Sequence, residues 1–466
     1  MSLQEYQNRF QQFRQSLYQN INIRADTAIE LVDALCSYPA ATSVVELSLA
    51  AVFRRSYTAL YKTLDEVAWE DIDIAEVVSE TLPHPTARGF WLFAVDVTSQ
   101  PRPFARTLSD RGYVYQPNAV AGNKPVTIGH QYSTVVLLPE PEPGLTSSWV
   151  VPMSTQRVAT TADKEIVGAE QIGALLADAE LPWHEELVVE VGDTSYSKPA
   201  YVYANRTYDN LITIARARSH RTFYTQYVYP EGERPQHRPR RYGAAFKLPE
   251  PATWHTPDVA TRFAWTSRGG RTYTVRIQGW HDMLMPGKNK PQRIPMADCP
   301  FTLVRVSVYR ADGTPIYGRP LWLVVVGDRR TELSLLQIFE AYDARENIEH
   351  FFRFSKQHLL LTAYQTPETD REARWWQVVH IAYDMLWAAR HLAHHMPRPW
   401  ERYLPPAVNQ EISPSMVQRD FARLIQQLGT PARAPQPRGN SPGRLAGTKL
   451  PARPRPKVVV KGKNDP

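Results

Sequence analysis

The sequence predicts an α/β fold: a mixed sheet flanked by helices, with a β-rich insertion and an N-terminal helical domain. Three observations carry that expectation. Short apolar runs of strand length, such as 90–95 and 187–192, are separated by helical stretches. Residues 1–80 lack strand-like alternation and carry apolar residues at helical spacing. Residues 226–318 alternate apolar and polar positions between turn residues, as exposed strands do.

The chain of 466 residues is long enough for one large core with smaller modules, and 43% hydrophobic and 11% aromatic content speaks for a globular protein. Cys36 and Cys299 are too few and too far apart for a disulfide framework or a metal cluster, which suits a reducing cytoplasm. There is no signal peptide pattern and no apolar run long enough for a bilayer. The net charge of +7 and pI of about 9.2 suit a polyanionic partner. From Thr430 onward nine Lys or Arg face one acid, so this tail carries +8 and the rest of the chain −1. Rich in Pro and poor in apolar residues, 430–466 is expected to be disordered, either a sequence-independent grip on phosphates or a solubilising tail.

In chain order, 4–20 and 26–36 read as helices. A third is expected to begin at Thr42-Ser43, with Glu46 closing a capping box, and to run through Arg54, Arg55, Tyr57, Tyr61 and Lys62. That arrangement suits a helix-turn-helix or, alternatively, a helical cap. An acidic link, 69–85, leads to the apolar run 90–95, which stops at Asp96. A carboxylate at the end of a buried strand is held firmly where a metal ligand is needed. Strands follow in 112–116 and 124–140, with 147–158 as an extension, then a helix over 169–180. The stretch 186–193 repeats the strand-then-aspartate pattern at Asp193, before a loop or short helix and the strand 210–218. A lone Asp after a strand is usually a turn former, so it is the repetition that draws attention to this pair.

The β-rich insertion 226–318 carries basic residues and Trp254, Trp265 and Trp280; the chain then returns to the sheet through 319–327. Residues 342–356 read as one helix. At about 100° per residue, Tyr342, Arg345, Glu349, Arg353 and Lys356 share one face, and Ile348, Phe351 and Phe354 lie on others. An Arg and a Glu four apart are often only a solvated pair. A carboxylate flanked by two Arg, a Lys and a Tyr suits a divalent cation and a phosphate together. After it come an amphipathic helix, 373–395, expected to cover the sheet, and a short helix over 413–429. His391, His394 and His395 cluster, but no carboxylate or Cys completes a metal site.

The order Tyr342-x2-Arg345-x3-Glu349-x6-Lys356 resembles the Y-R-E-K signature of insertion-sequence DDE transposases, whose catalytic domain is ribonuclease-H-like. Four residue types at three spacings carry that resemblance, which spans roughly 88–365. It implies a ribonuclease-H-like core in two parts, 88–225 and 319–428, interrupted by the insertion, with residues 1–80 as the DNA-binding domain. It implies that Glu349 is the third carboxylate after Asp96 and Asp193, separated from one another by 97 and 156 residues. These three would hold two Mg²⁺ ions, with Mn²⁺ as substitute, while Tyr342, Arg345, Arg353 and Lys356 bind the DNA strand. Arg353 comes from the helical face alone. The implied partners are transposon terminal repeats and target DNA, on which the chain acts as a homodimer, in a prokaryotic cytoplasm and associated with the nucleoid. Two alternatives stand beside it: a catalytically retired, transposase-derived DNA-binding protein, and a ribonuclease-H-like structure-specific nuclease.

Overall fold

The computed structural model describes residues 2–116, 125–142, 149–231, 239–267, 269–287, 294–395, 412–436, 447 and 452–461. Helices α1 (Leu3–Asn20), α2 (Ala25–Ser37), α3 (Tyr57–Glu66) and α4 (Ile74–Ser79) open the chain. Then come β1 (Trp91–Pro101), β2 (Gly112–Tyr115), β3 (Val126–Leu137), β4 (Val151–Val158), α5 (Lys164–Ala177), β5 (Val188–Gly192), α6 (Pro199–Asn205) and β6 (Leu211–Arg216). Strand β7 (Thr222–Gln226) precedes the expected insertion, which supplies β8 (Tyr242–Lys247), β9 (Val259–Thr266), β10 (Thr272–Met283) and β11 (Phe301–Tyr309). Strand β12 (Leu321–Val326) leads to α7 (Leu335–Ala344), α8 (Glu346–His358), α9 (Thr369–His395) and α10 (Pro414–Leu428). The architecture is the mixed α/β, ribonuclease-H-like one that the sequence predicts.

The chain divides into two compact units, one of Met1–His84, Val97–Lys164 and Asn347–Pro466, the other of Pro85–Asp96 and Glu165–Glu346. In the second unit the strand order is β1-β5-β6-β12-β11-β10-β9. Pairing is parallel from β1 through β5 to β6 and antiparallel beyond. The central strands are buried on both faces and mostly apolar, as in a sheet covered on both sides. Strands β9 to β11 thus extend the main sheet, and only β7 and β8 form a separate pair. The insertion's tryptophans serve the core. Trp280 is buried, Trp254 stacks on Phe246 at 5.8 Å and meets Trp322 at 5.2 Å, and Trp265 packs on Phe339 at 5.6 Å.

The first unit is built around α9. The amphipathic helix expected there is buried nearly all round, because Trp375, Trp376, Val379, Ala382, Leu386 and Trp387 point to every side. It packs against α1, α2, α10 and β4. Two charged networks are sealed inside: Arg14 pairs with Asp33 through two bonds of 2.5 and 2.8 Å, and Glu372 takes Arg102 at 2.9 Å, His130 at 2.6 Å and Tyr132 at 3.0 Å. Such pairs hold because each buried charge meets an opposite charge and further hydrogen-bond partners.

Two N-terminal expectations are corrected. The single helix from Thr42 is a 3₁₀ turn, Val44–Leu49, followed by an extended link and α3. The link is held by the fully buried Glu30, whose carboxylate accepts from the backbone N–H of Arg54 at 3.1 Å and its Nε at 2.7 Å and also pairs with Arg55. These two arginines therefore brace the fold, and no recognition helix carries them. The acidic link folds too: Ile74, Val77 and Val78 are buried on α4. Beyond Leu428 no helix or strand occurs among the described residues, but the tail is tied down. Arg453 pairs with Glu368, Lys461 with Asp163, both at 2.5 Å, and the Val459 N–H donates to the Arg111 carbonyl.

Candidate active site

The parallel ladder between β1 and β5 pairs Trp91 with Val188 and runs to Val95 with Gly192. The residue that follows each member of that last pair is an aspartate, Asp96 within β1 and Asp193 just past the end of β5. Asp96 and Asp193 therefore stand at equivalent positions on neighbouring strands, whose backbones run about 4.8 Å apart. Strand β1 does not stop at Asp96, as the sequence suggests, but continues to Pro101; what ends there is complete burial. On β5 the strand does end at Gly192, just before Asp193.

A tight turn follows Asp193. Its Oδ1 accepts the Ser195 N–H at 2.6 Å and its carbonyl accepts the Tyr196 N–H at 3.2 Å, the short-range bonding that suits Asp to turns. The turn folds Tyr196 back over Gly192, where any Cβ would lie 2.7 Å from the Tyr196 Cβ. Tyr196 is completely buried, and its phenol is pushed well above its ordinary range by that burial first and then by the negative charges of Asp96 and Asp193. One ring thus feels both carboxylates.

Cations enter from α7, which starts at a capping box between Ser334 and Gln337 and packs across β5, β6 and β10. Arg345, at its C-terminal end, reaches the Asp96 Oδ2 at 3.3 Å, with both side chains largely covered. Burial raises the Tyr342 pKa, and the Arg345 and Arg216 cations and the Asp193 anion act on it in turn. Asp96, Asp193, Tyr342 and Arg345, four residues singled out in sequence, are therefore gathered in one unit. Two like charges on adjacent strands repel, and the Arg345 guanidinium offsets that repulsion.

Residues 342–356 are not one helix. α7 ends at Ala344 and α8 begins at Glu346, with the Arg345 N–H bonded to the Tyr342 carbonyl at 3.2 Å, three residues back instead of four. The single helix expected over 342–356 is therefore interrupted at Arg345. Within α8, in the other unit, the pattern holds: Ile348, Phe351, Phe352, Phe354 and Ser355 are buried, and Glu349 and Arg353 are exposed. Lys356 is half-buried, with its Nζ donating to Thr98 Oγ1 at 2.6 Å and lying 5.9 Å from the Phe352 ring centre.

Sequence reasoning missed two of these residues as site members. Arg216 was accessible through its place at the end of β6. Tyr196 carries no sequence signal, because its position depends on how the turn closes. His391, by contrast, pairs with Glu142 at 3.1 Å and stacks on Tyr6, and the side chains of His394 and His395 lie outside the described residues.

Among the described residues no group of three or more His, Cys, Asp or Glu is drawn together tightly enough to hold a metal ion. The donor pair formed by Asp96 and Asp193 fits a hard divalent cation, since both are carboxylates at one level of the sheet, and hard oxygens are what Mg²⁺ and Mn²⁺ prefer. No helix of the described residues is long and apolar enough to cross a membrane. Residues 16–287 match the family described as DDE superfamily endonuclease, a stretch that contains Asp96 and Asp193 and ends before Glu349. Among curated proteins none matches the chain. Matched over more than half of its length, the chain belongs to the DDE superfamily endonucleases.

Proposed function

We propose that the chain is a DNA transposase that hydrolyses a phosphodiester at each transposon end and joins the freed 3′-hydroxyl to target DNA. The observation that carries this reading is the equivalent placement of Asp96 and Asp193 on adjacent parallel strands, with Tyr342 and Arg345 gathered beside them. A family of endonucleases implies a DNA substrate and a divalent metal; transposition, two ions and a dimer on DNA are our extension.

In this reading Asp96 and Asp193 hold the metal, and Glu349, four residues beyond Arg345, supplies the third carboxylate. Two bound Mg²⁺ ions, with Mn²⁺ as substitute, would activate the attacking hydroxyl and stabilise the leaving oxygen. The chain's own work is positioning. The turn at Asp193 fixes one carboxylate, β1 fixes the other, and Tyr342, Arg345, Arg353 and Lys356 hold the phosphates of the strand being cut. With a divalent ion on Asp96, Arg345 would be released from its ion pair to hold a DNA phosphate. Residues 1–80 recognise the ends through surfaces that include the exposed Tyr57 and Lys62 on α3.

The test is cleavage of DNA carrying the sequences that flank this gene. Asp96→Asn and Asp193→Asn should each lower the Mg²⁺-dependent rate by at least about 100-fold while end binding survives, as expected when a group acts in the transition state. Joined products in a strand-transfer assay support the transposase; cutting of branched DNA without joining would favour a structure-specific nuclease. Binding without cutting in either metal would favour a retired DNA-binding protein.

A further inference from the structure

Strands β9, β10 and β11 end the sheet of the second unit, and one of their faces carries an arrangement that a sheet does not adopt for its own stability. Arg276 on β10 is directly opposite Arg262 on β9, and both are exposed. Like charges in opposed positions destabilise a ladder. Arg310, just past the end of β11, joins them around an open groove of about 570 Å³ that Thr274, Tyr309 and Ala260 also line. No acid is among the described residues that line this groove. Among the described residues no carboxylate forms an ion pair with Arg262, Arg276 or Arg310; Asp312, in the turn after Arg310, accepts the Thr314 N–H at 2.9 Å and Oγ1 at 2.7 Å and feels the Arg310 charge only after those bonds.

An edge strand commonly carries a cation to block pairing with other chains. One arginine on β9 meets that need. A second one directly opposite, on the inner strand β10, adds only repulsion, unless an anion lies across both. The two strands are about 4.8 Å apart, so their guanidiniums can take neighbouring anionic groups of a polymer. The Thr274 and Tyr309 hydroxyls, on the paired positions next along the same face, add neutral donors.

We propose that this face grips the phosphate backbone of DNA without reading its sequence, through Arg262, Arg276 and Arg310, with Thr274 and Tyr309 fixing the strand. It rests on the reading of the chain as a DNA-acting enzyme and adds a second contact surface to it, separate from the residues assigned to cutting.

The test uses the full chain and duplexes of two unrelated sequences, with affinity measured as salt is raised. Replacing all three arginines, R262S/R276S/R310S, should reduce the slope of log K against log salt by about two to three and weaken both duplexes alike, since each phosphate contact releases its counterions. The matching R262K/R276K/R310K variant should keep the slope. R276S alone should unfold at the same temperature as wild type or higher, because it relieves a repulsion; a merely structural arginine would lower it. An unchanged slope in the serine variant, or equal losses in the serine and lysine variants, would overturn the proposal. If the wild type binds DNA with this arginine dependence yet never cuts, the transposase reading fails and this one stands. If it cuts and the slope is unchanged, only this one fails.

Discussion

Asp96 and Asp193 are paired by register, not by proximity in sequence: the ladder from Trp91–Val188 to Val95–Gly192 brings residues 97 apart to one level of the sheet. Beneath them β5 carries a third carboxyl group with a different role. Glu190 is fully buried, with the Tyr201 hydroxyl, Asn205 Nδ2 at 3.3 Å and Thr213 Oγ1 at 3.4 Å around its oxygens. Burial raises its pKa from 4.5 to about 8. The folded chain thus holds this proton more tightly than the unfolded one. The resulting stability is complete below the unfolded pKa near 4.5 and is lost as pH rises through about 8. Glu190→Gln should flatten the unfolding free energy across that window, removing a slope of at most about 1.4 kcal/mol per pH unit. Denaturant unfolding at several pH values measures it, and equal slopes in the two proteins would contradict the assignment. Both aspartates were legible because each follows an apolar run; Glu190 was not, since only the folded sheet reveals that it faces inward.

At the scale of elements, the turn after β5 connects strand geometry to site geometry. Gly192→Ala would bring a Cβ to 2.7 Å from the Cβ of Tyr196, which is fully buried and has no room to withdraw. We expect a loss of about 1–3 kcal/mol, as for other overpacked positions, with a parallel fall in cleavage because the Asp193 turn must shift. Urea midpoints and single-turnover rates read the two effects, and an alanine variant as stable and active as wild type would show that the turn does not set the site. Strands were the most legible elements, because apolar runs bounded by turn residues have few other solutions. Helices misled where tertiary contacts outweighed local pattern. Glu30 pulls Arg54 and Arg55 out of the helix expected from Thr42, and the break at Arg345 coincides with its ion pair to Asp96. α9 looked amphipathic only because its buried polar residues, among them His380 and Asp384, were counted as a wet face. Burial holds the His380 imidazole down to a pKa of about 4, so it is neutral in that core.

Across the whole molecule, the chain belongs to the DDE superfamily endonucleases, and Asp96 and Asp193, proposed as metal ligands, lie within the matched region. Glu349 lies beyond residue 287, in α8, and its claim rests on the Tyr-Arg-Glu-Lys spacing and its exposed position. The spacing was readable because it is local. The way the chain passes from one unit to the other at Asp96–Val97 and Glu346–Asn347 was not, because a division into compact units depends on long-range contacts that no local pattern encodes. The most direct test of the central claim is single-turnover, Mg²⁺-dependent cleavage of DNA bearing the flanking ends, comparing wild type with Glu349→Gln. A rate at least about 100-fold lower in the variant, with DNA affinity retained, is the expected result for a third metal-binding carboxylate. Cleavage by Glu349→Gln at close to the wild-type rate would contradict it and leave Asp96 and Asp193 in need of another partner.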